Sequence, residues 1–202
     1  MIYLIGGPAR CGKSTVARRM RDFVHGQIIS GDVVVHSLQV ILKSEWLPDI
    51  YDNDIVGVTH IENLESKIDR LRRRDETMWQ FYTAFCNASV ESAPQDDILI
   101  EGSLWPDYLE GFSHPHKAIF LVDTSDDQFE RLLATRDDKD SGNNLTRDYN
   151  DEQLKRWAHF NALRSKRYVE LCGRYGYPCF DIAGHGMDIA ETKALAYLRT
   201  VS

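Results

Sequence analysis

The chain has 202 residues, 24 Lys and Arg against 31 Asp and Glu, and a formal net charge of −7. That length suits one domain, or one domain with an insertion, with a core large enough to need no disulfide or metal staple. A hydrophobic share of 43 % excludes global disorder; the longest apolar runs fall far short of the ~20 residues of a membrane span, and the acidic balance disfavours sequence-independent nucleic-acid binding.

In chain order, residues 2–5 form a short apolar run ending at Gly6. It is too short for a globular helix and reads as a buried strand. Val16, Ala17, Met20, Phe23 and Val24 then recur at helical spacing. Residues 27–30 form a second strand, and a helix over residues 33–46 follows, for which Asp32 is one candidate cap. Ile61, Leu64, Ile68, Leu71, Met78, Tyr82 and Phe85 step by three, four or seven. They make one apolar stripe on a single bent helix, or on two short helices separated near Asp75. This segment is expected to lie over one edge of the sheet. Its basic residues Lys67, Arg70, Arg72, Arg73 and Arg74 read as a solvated helix face. Residues 98–101, 118–123 and 178–182 complete five strands. Phe129, Leu132 and Leu133 mark a helix after the fourth, Asn150 caps a long helix from Asp151, and residues 190–198 form a last short helix. Strands alternating with helices predict a mostly parallel sheet covered on both faces.

Cys11, Cys86, Cys172 and Cys179 form no C-x-x-C pair, and no His-x-x-x-His accompanies them. Zinc is not expected, and scattered reduced thiols without a basic or apolar leader suggest a cytoplasmic location.

The chemistry concentrates near the amino terminus. Gly7-Pro8-Ala9-Arg10-Cys11-Gly12-Lys13-Ser14 satisfies G-x-x-x-x-G-K-[ST] at every specified position, an accident expected in about 1 % of chains this long. Glycines let consecutive backbone N–H groups turn toward phosphate oxygens, and a helix starting near Lys13 adds the positive end of its dipole. Lys13 suits the β- and γ-phosphates of ATP, and the Ser14 hydroxyl suits Mg²⁺. Asp32, after the second strand, serves as base toward an acceptor hydroxyl, as holder of a magnesium-bound water, or as the helix cap; the residues leave these roles open. Glu101 ends an apolar strand, where an acid commonly partners the metal. Residues 137–150, a Gly-, Asn- and Asp-rich polar interval, read as a loop between two helices. Arg136 at the hinge of this interval, and less so Arg131, are candidates to stabilise the transferring phosphoryl group; Arg147, Arg164 and Arg167 are weaker ones.

These residues resemble the P-loop small-molecule kinases: adenylate kinase, shikimate kinase, zeta-toxin and 2-phosphoglycerate kinase-like phosphotransferases. The resemblance implies a three-layer α/β/α fold with a five-stranded parallel sheet, the P-loop NTPase fold of nucleoside and nucleotide kinases, in one domain over residues 1–202. It also implies a substrate-binding insertion at 33–97, a lid at 137–150, and adenine lying against the loop after Ile182. ATP and Mg²⁺ are the implied cofactors, with Gly7, Ala9, Arg10, Cys11, Gly12, Lys13, Ser14 and Thr15 around the triphosphate and Ser14, Glu101 and Asp32 around the metal. Ser30-Gly31-Asp32 looks like the adenylate kinase pattern Ser-Thr-Gly-Asp, but Val35 stands where those enzymes place an arginine for AMP. Glu101-Gly102-Ser103-Leu104-Trp105 likewise lacks the arginine of Asp-Gly-Phe-Pro-Arg. Both departures favour a hydroxyl acceptor over AMP. The competing readings are a nucleotide-dependent switch with a protein partner, and a toxin-type kinase held by an antitoxin. The sequence identifies neither the acceptor nor an oligomeric state.

Overall fold

The computed structural model describes residues 1–43, 63–136 and 149–200. Five strands form one sheet: β1 (Ile2–Gly6), β2 (Gly26–Ser30), β3 (Asp97–Glu101), β4 (His116–Val122) and β5 (Cys179–Asp181). Their order is β2-β3-β1-β4-β5, and every pairing is parallel. β1 is central and buried along its whole length, as a parallel strand covered on both faces must be. Successive β1 residues feed opposite layers. Tyr3 and Ile5 join Val16, Ala17 and Met20 of α1 (Lys13–Arg19) and Ala194, Leu195 and Leu198 of α7 (Met187–Leu198). Ile2 and Leu4 join the opposite core, built with α3 (Leu64–Ser92) and α5 (Asp151–Tyr175). This is the three-layer α/β/α arrangement expected of a P-loop small-molecule kinase. Chain order reverses on either side of β1, which opens a crevice at the carboxyl ends of the strands.

The strand expectations hold to within two residues at each end. Two helix readings need correction. α2 spans Gly31–Ile41 with Ser30 at its N-cap, so Asp32 lies in the first turn and is not the cap. Ser30 is still extended, at φ −92° and ψ 124°, and the chain enters the helix at Gly31, ahead of the acid. Within the expected insertion, residues 44–62, with Trp46, Tyr51 and Ile61, lie outside the described residues.

The second correction concerns α3. It is one unbroken helix through Asp75. Its basic run is solvated only at Arg73: Lys67 is fully buried, Arg74 nearly so, and Arg70 and Arg72 are half-buried. Arg74 Nη2 bonds Asp75 Oδ1 at 2.7 Å, and Trp105 Nε1 donates to Asp75 Oδ2 at 2.8 Å. The Trp105 ring stacks on Tyr168 with centroids 4.2 Å apart and planes at 15°, and the Arg72 guanidinium lies 4.7 Å from its centroid. A buried charge survives only when paired and hydrogen-bonded, and Asp75 meets both conditions. A run of charge favours a solvated face locally, whereas an indole N–H arriving from a distant loop rewards placing Asp75 inside.

α5 begins as the sequence predicts. Asn150 Oδ1 accepts from Gln153 N at 2.9 Å and Gln153 Oε1 accepts from Asn150 N at 2.9 Å, a reciprocal capping box. Gly176 ends the helix at φ 74°. Of the expected lid, residues 137–148, including Arg147, fall outside the described residues.

Trp105 is the fully buried junction of β3, α3 and α5. Trp105→Ala is expected to lower the unfolding free energy by about 3–5 kcal/mol, read from urea denaturation followed by far-ultraviolet circular dichroism.

Candidate functional site

The loop joining β1 to α1 is shaped by positive φ angles: 133° at Gly7, 66° at Arg10 and 84° at Gly12. Gly7 cannot be replaced: an added Cβ would sit 2.0 Å from the Leu121 carbonyl oxygen of β4. Left-handed residues interspersed along the loop turn backbone N–H groups toward one concavity, an anion nest. Lys13 opens α1 at the rim, and its Nζ donates to the Pro8 carbonyl at 2.5 Å, spanning the loop. A cradle of backbone amides, a helix start and a lysine fit a polyphosphate.

Cys11 lies inside this loop, 2 % exposed. Burial is the main cause that pushes its thiol up to about 12; Lys13 and Arg164 oppose the rise, and Asp123 and Asp181 add to it.

Sheet register assembles the adjoining polar group. Ser30 of β2 pairs with Glu101 of β3, and Glu101 with Ile5 of β1. Glu101, 6 % exposed, accepts from Ser30 Oγ at 2.8 Å through Oε1 and from Ser14 Oγ at 3.3 Å through Oε2. Hydroxyl and carboxylate oxygens are hard donors, and Mg²⁺ typically takes one or two such ligands and completes its shell with water and substrate phosphate. The donor set therefore fits this cation. Asp32 is exposed one residue beyond the Ser30-Gly31 corner, in the first turn of α2.

Two grooves flank the loop. One, of about 150 Å³, is lined by Arg10, Arg131, Leu132, Thr135, Ile182 and Met187 among others. It lies between the loop, α4 (Gln128–Ala134) and the four-residue helix α6 (Ile182–His185), where the resemblance places adenine. Arg131 is held by Asp123, by Asp127 at 2.5 Å and by Ser125 Oγ at 2.5 Å. Arg10 Nη2 bonds Thr135 Oγ1 at 2.9 Å. The other groove, about 210 Å³, opens between α1 and β2 with Ser14, Ser30 and Glu101 in its wall. Arg136, at the end of α4, reaches across to Asp151 Oδ1 at 2.8 Å and the Tyr149 carbonyl at 3.2 Å, tying α4 to the start of α5. Asp181 is structural: it accepts from Thr124 and, at 3.0 Å, from Ala183 N, which pins β5 to the end of β4.

The buried face of α5 adds residues the sequence undervalued. Arg164 is completely buried, with Nη2 3.5 Å from Ser103 Oγ beside the β3 turn. One turn earlier, Asn161 is 1 % exposed, and both its amide atoms are sealed without a hydrogen-bond partner among the described residues, as are Trp157 Nε1 and Tyr168 Oη. Arg167, the other weak candidate on this helix, instead faces outward and pairs with Asp69 at 2.7 Å. The sequence marks Arg164 only as a weaker phosphate candidate and gives Trp157 and Tyr168 the spacing of an ordinary helical core stripe. Only the placement of α5 beside Ser103 shows that the stripe carries polar groups into the crevice side of the core.

Because Cys11 is sealed and protonated, it is expected to resist iodoacetamide at pH 8.5 in the folded protein and to react in urea, as peptide mass spectrometry would show. The unfolded thiol ionises near 9 and the folded one near 12. This group's contribution to stability is thus complete below pH 9 and declines as pH rises toward 12.

No family model matches the chain, and no curated protein matches it. Similar solved structures include shikimate kinase from Acinetobacter baumannii in complex with shikimate, 17 % identical, TM-score 0.47, covering 96 % of this chain and 90 % of that one. Deoxyadenosine kinase from M. mycoides is 12 % identical, with a TM-score of 0.42 and 100 % of each chain covered. Dephospho-CoA kinase from Campylobacter jejuni is 13 % identical, with a TM-score of 0.42, covering 98 % of this chain and 96 % of that one.

Proposed function

We propose that the protein is an ATP:small-molecule phosphotransferase that moves the γ-phosphoryl group to an acceptor hydroxyl. The observation that carries this reading is the Gly7–Ser14 loop: its positive φ angles at Gly7, Arg10 and Gly12, the Lys13 side chain across its mouth, and Ser14 bonded to a buried carboxylate. In this reading the backbone amides and Lys13 hold the β- and γ-phosphates. Gly7, Ala9, Arg10, Cys11, Gly12 and Thr15 contribute backbone or shape, and the groove beside Leu132, Ile182 and Met187 receives the base.

Ser14 and Glu101 hold Mg²⁺, with Asp32 able to join through a water. When bound, the metal neutralises charge on the β- and γ-oxygens. Asp32 accepts the proton of the acceptor hydroxyl; its exposure leaves room for a substrate to reach it. Arg136 exchanges its exposed partner Asp151 for phosphoryl oxygens, an exchange that a surface ion pair of small net energy permits. Arg131, already shared between Asp123 and Asp127, shapes the base groove and adds field at longer range. Helices α2 and α3 flank the acceptor side in this reading. The acceptor is a small molecule, and nothing in the chemistry of the site calls for nucleic acid.

Lys13→Ala is expected to cut Mg-dependent γ-phosphoryl transfer by about a hundredfold or more, with the thermal melt retained; near-normal turnover would refute the assignment. Asp32→Asn is expected to slow transfer to an alcohol by about a hundredfold, measured as acceptor-dependent ADP release. Stimulation of ATP consumption by a protein and by no small molecule would favour the switch reading.

A further inference from the structure

Tyr82 on α3 is 3 % exposed, yet its hydroxyl oxygen reaches the corner where β2 and β3 end. A methyl at Gly31 would lie 2.8 Å from that oxygen, and one at Gly102 would lie 3.7 Å from it. The same methyl at Gly31 would be 3.1 Å from the Glu101 carbonyl oxygen. Two glycines thus leave a floor without side chains directly beneath the phenol, between Asp32 on one side and Glu101 on the other. The Tyr82 hydroxyl makes no hydrogen bond among the described residues, and it is not one of the sealed polar atoms of the core, unlike its neighbour Thr83 Oγ1. A buried ring whose hydroxyl is neither sealed nor hydrogen-bonded among the described residues is a polar tip available to a ligand.

The charges that act most on it are Asp75, Glu101 and Asp32, against Arg74. Burial first, then Asp75, Glu101 and Asp32, raise the Tyr82 hydroxyl well above its ordinary range, and Arg74 opposes them. The phenol is therefore a neutral O–H at any physiological pH, a donor and not a base. Glu101 is taken up by Ser14, Ser30 and, in the reading above, the metal, so a phosphate monoester placed here would meet one neutral donor beside the Asp32 carboxylate, an unfavourable pairing for a dianion. An alcohol is matched: it donates its proton toward Asp32 and accepts from the phenol.

We propose that Tyr82 is the residue that reads the phosphoryl acceptor, selecting an alcohol over a phosphate by donating to the oxygen that attacks. This rests on the phosphotransferase reading above. The acceptor oxygen forms its bond to the γ-phosphorus, the bond from that phosphorus to the β,γ-bridging oxygen breaks, ADP departs with the electron pair, and the acceptor's proton passes to Asp32. Tyr82 holds the attacking oxygen in line without exchanging a proton. Gly31 is required by the closeness of the phenol, whereas a Cβ at Gly102 would meet it at ordinary contact distance.

The test supplies the full chain and MgATP with high glycerol or ribose as generic alcohols, or with methyl phosphate as a generic phosphate. Phosphorus NMR then measures how the γ-phosphoryl group divides between acceptor and water. The wild type is expected to form sugar or glycerol phosphate esters and to form them in preference to a methyl-pyrophosphate product. In Tyr82→Phe, which keeps the ring, the ester-to-phosphate ratio is expected to fall about tenfold, the loss of one neutral hydrogen bond in a buried site. Gly31→Ala, which pushes the hydroxyl away, is expected to lower the same ratio, and thermal melts confirm that both variants fold. An unchanged ratio in Tyr82→Phe, transfer to methyl phosphate exceeding transfer to the alcohols, or ATP hydrolysis with no ester at all would each overturn the assignment. Failure of the underlying reading has a separate signature: the wild type would then consume no more ATP than Lys13→Ala.

Discussion

The passage of Gly7 over the Leu121 carbonyl is the constraint on which the rest of the molecule turns. β1 is the central strand, and β4 lies beside it in parallel register. The chain leaving β1 must cross the end of β4 with no Cβ, because one would fall 2.0 Å from that oxygen. This crossing launches the loop at φ 133° and leads to the left-handed turns at Arg10 and Gly12. It delivers Lys13 to the start of α1 and Ser14 to the side of the sheet where Glu101 waits. Gly12 is held from behind as well: a Cβ there would approach Met187 Sδ at 2.9 Å and Glu191 Oε1 at 3.0 Å, so α7 backs the loop.

A second theme is charge taken inside. The core that joins α3 and α5 to the sheet contains Lys67, Arg74, Asp75 and Arg164 as well as leucines and aromatics. An unsatisfied buried polar atom costs on the order of 1–3 kcal/mol, so the sealed amide of Asn161 and the hydroxyl of Tyr168 represent stability forgone near the site. Such expense concentrates where a protein handles polar ligands. Trp105 ties this region together, with its N–H on Asp75, its ring on Tyr168 and Arg72 over its face. The wall of the crevice is therefore rigid on the α3–α5 side, whereas Arg136 and Arg131 meet their partners at partly exposed positions that can rearrange.

Tyr82, read as core, and Arg164, named only as a weaker phosphate candidate, show why part of the candidate site was faint in the sequence pattern. Each sits at a helical spacing that a core stripe would also produce. Nothing in their neighbours along the chain distinguishes a phenol that fills space from one whose oxygen overlooks two glycines 51 and 20 positions away. Ser30 was legible only as part of a strand end. Its hydroxyl became a partner of Glu101 through the parallel register of β2 on β3. The basic run on α3 misled for the related reason that exposure is a property of what a helix faces.

Local chemistry alone determined the strands, the phosphate loop, the capping box at Asn150 and the helical character of the segments between, because turn residues, short apolar runs and helical periodicity act within a few residues. Tertiary structure decided which carboxylate meets which hydroxyl, that Asp75 and Lys67 are inside, that Ser30 and not Asp32 caps α2, and that Tyr82 overlooks the crevice. These are pairings between residues far apart in the chain, and their energies exist only once the sheet order has brought the strand ends together.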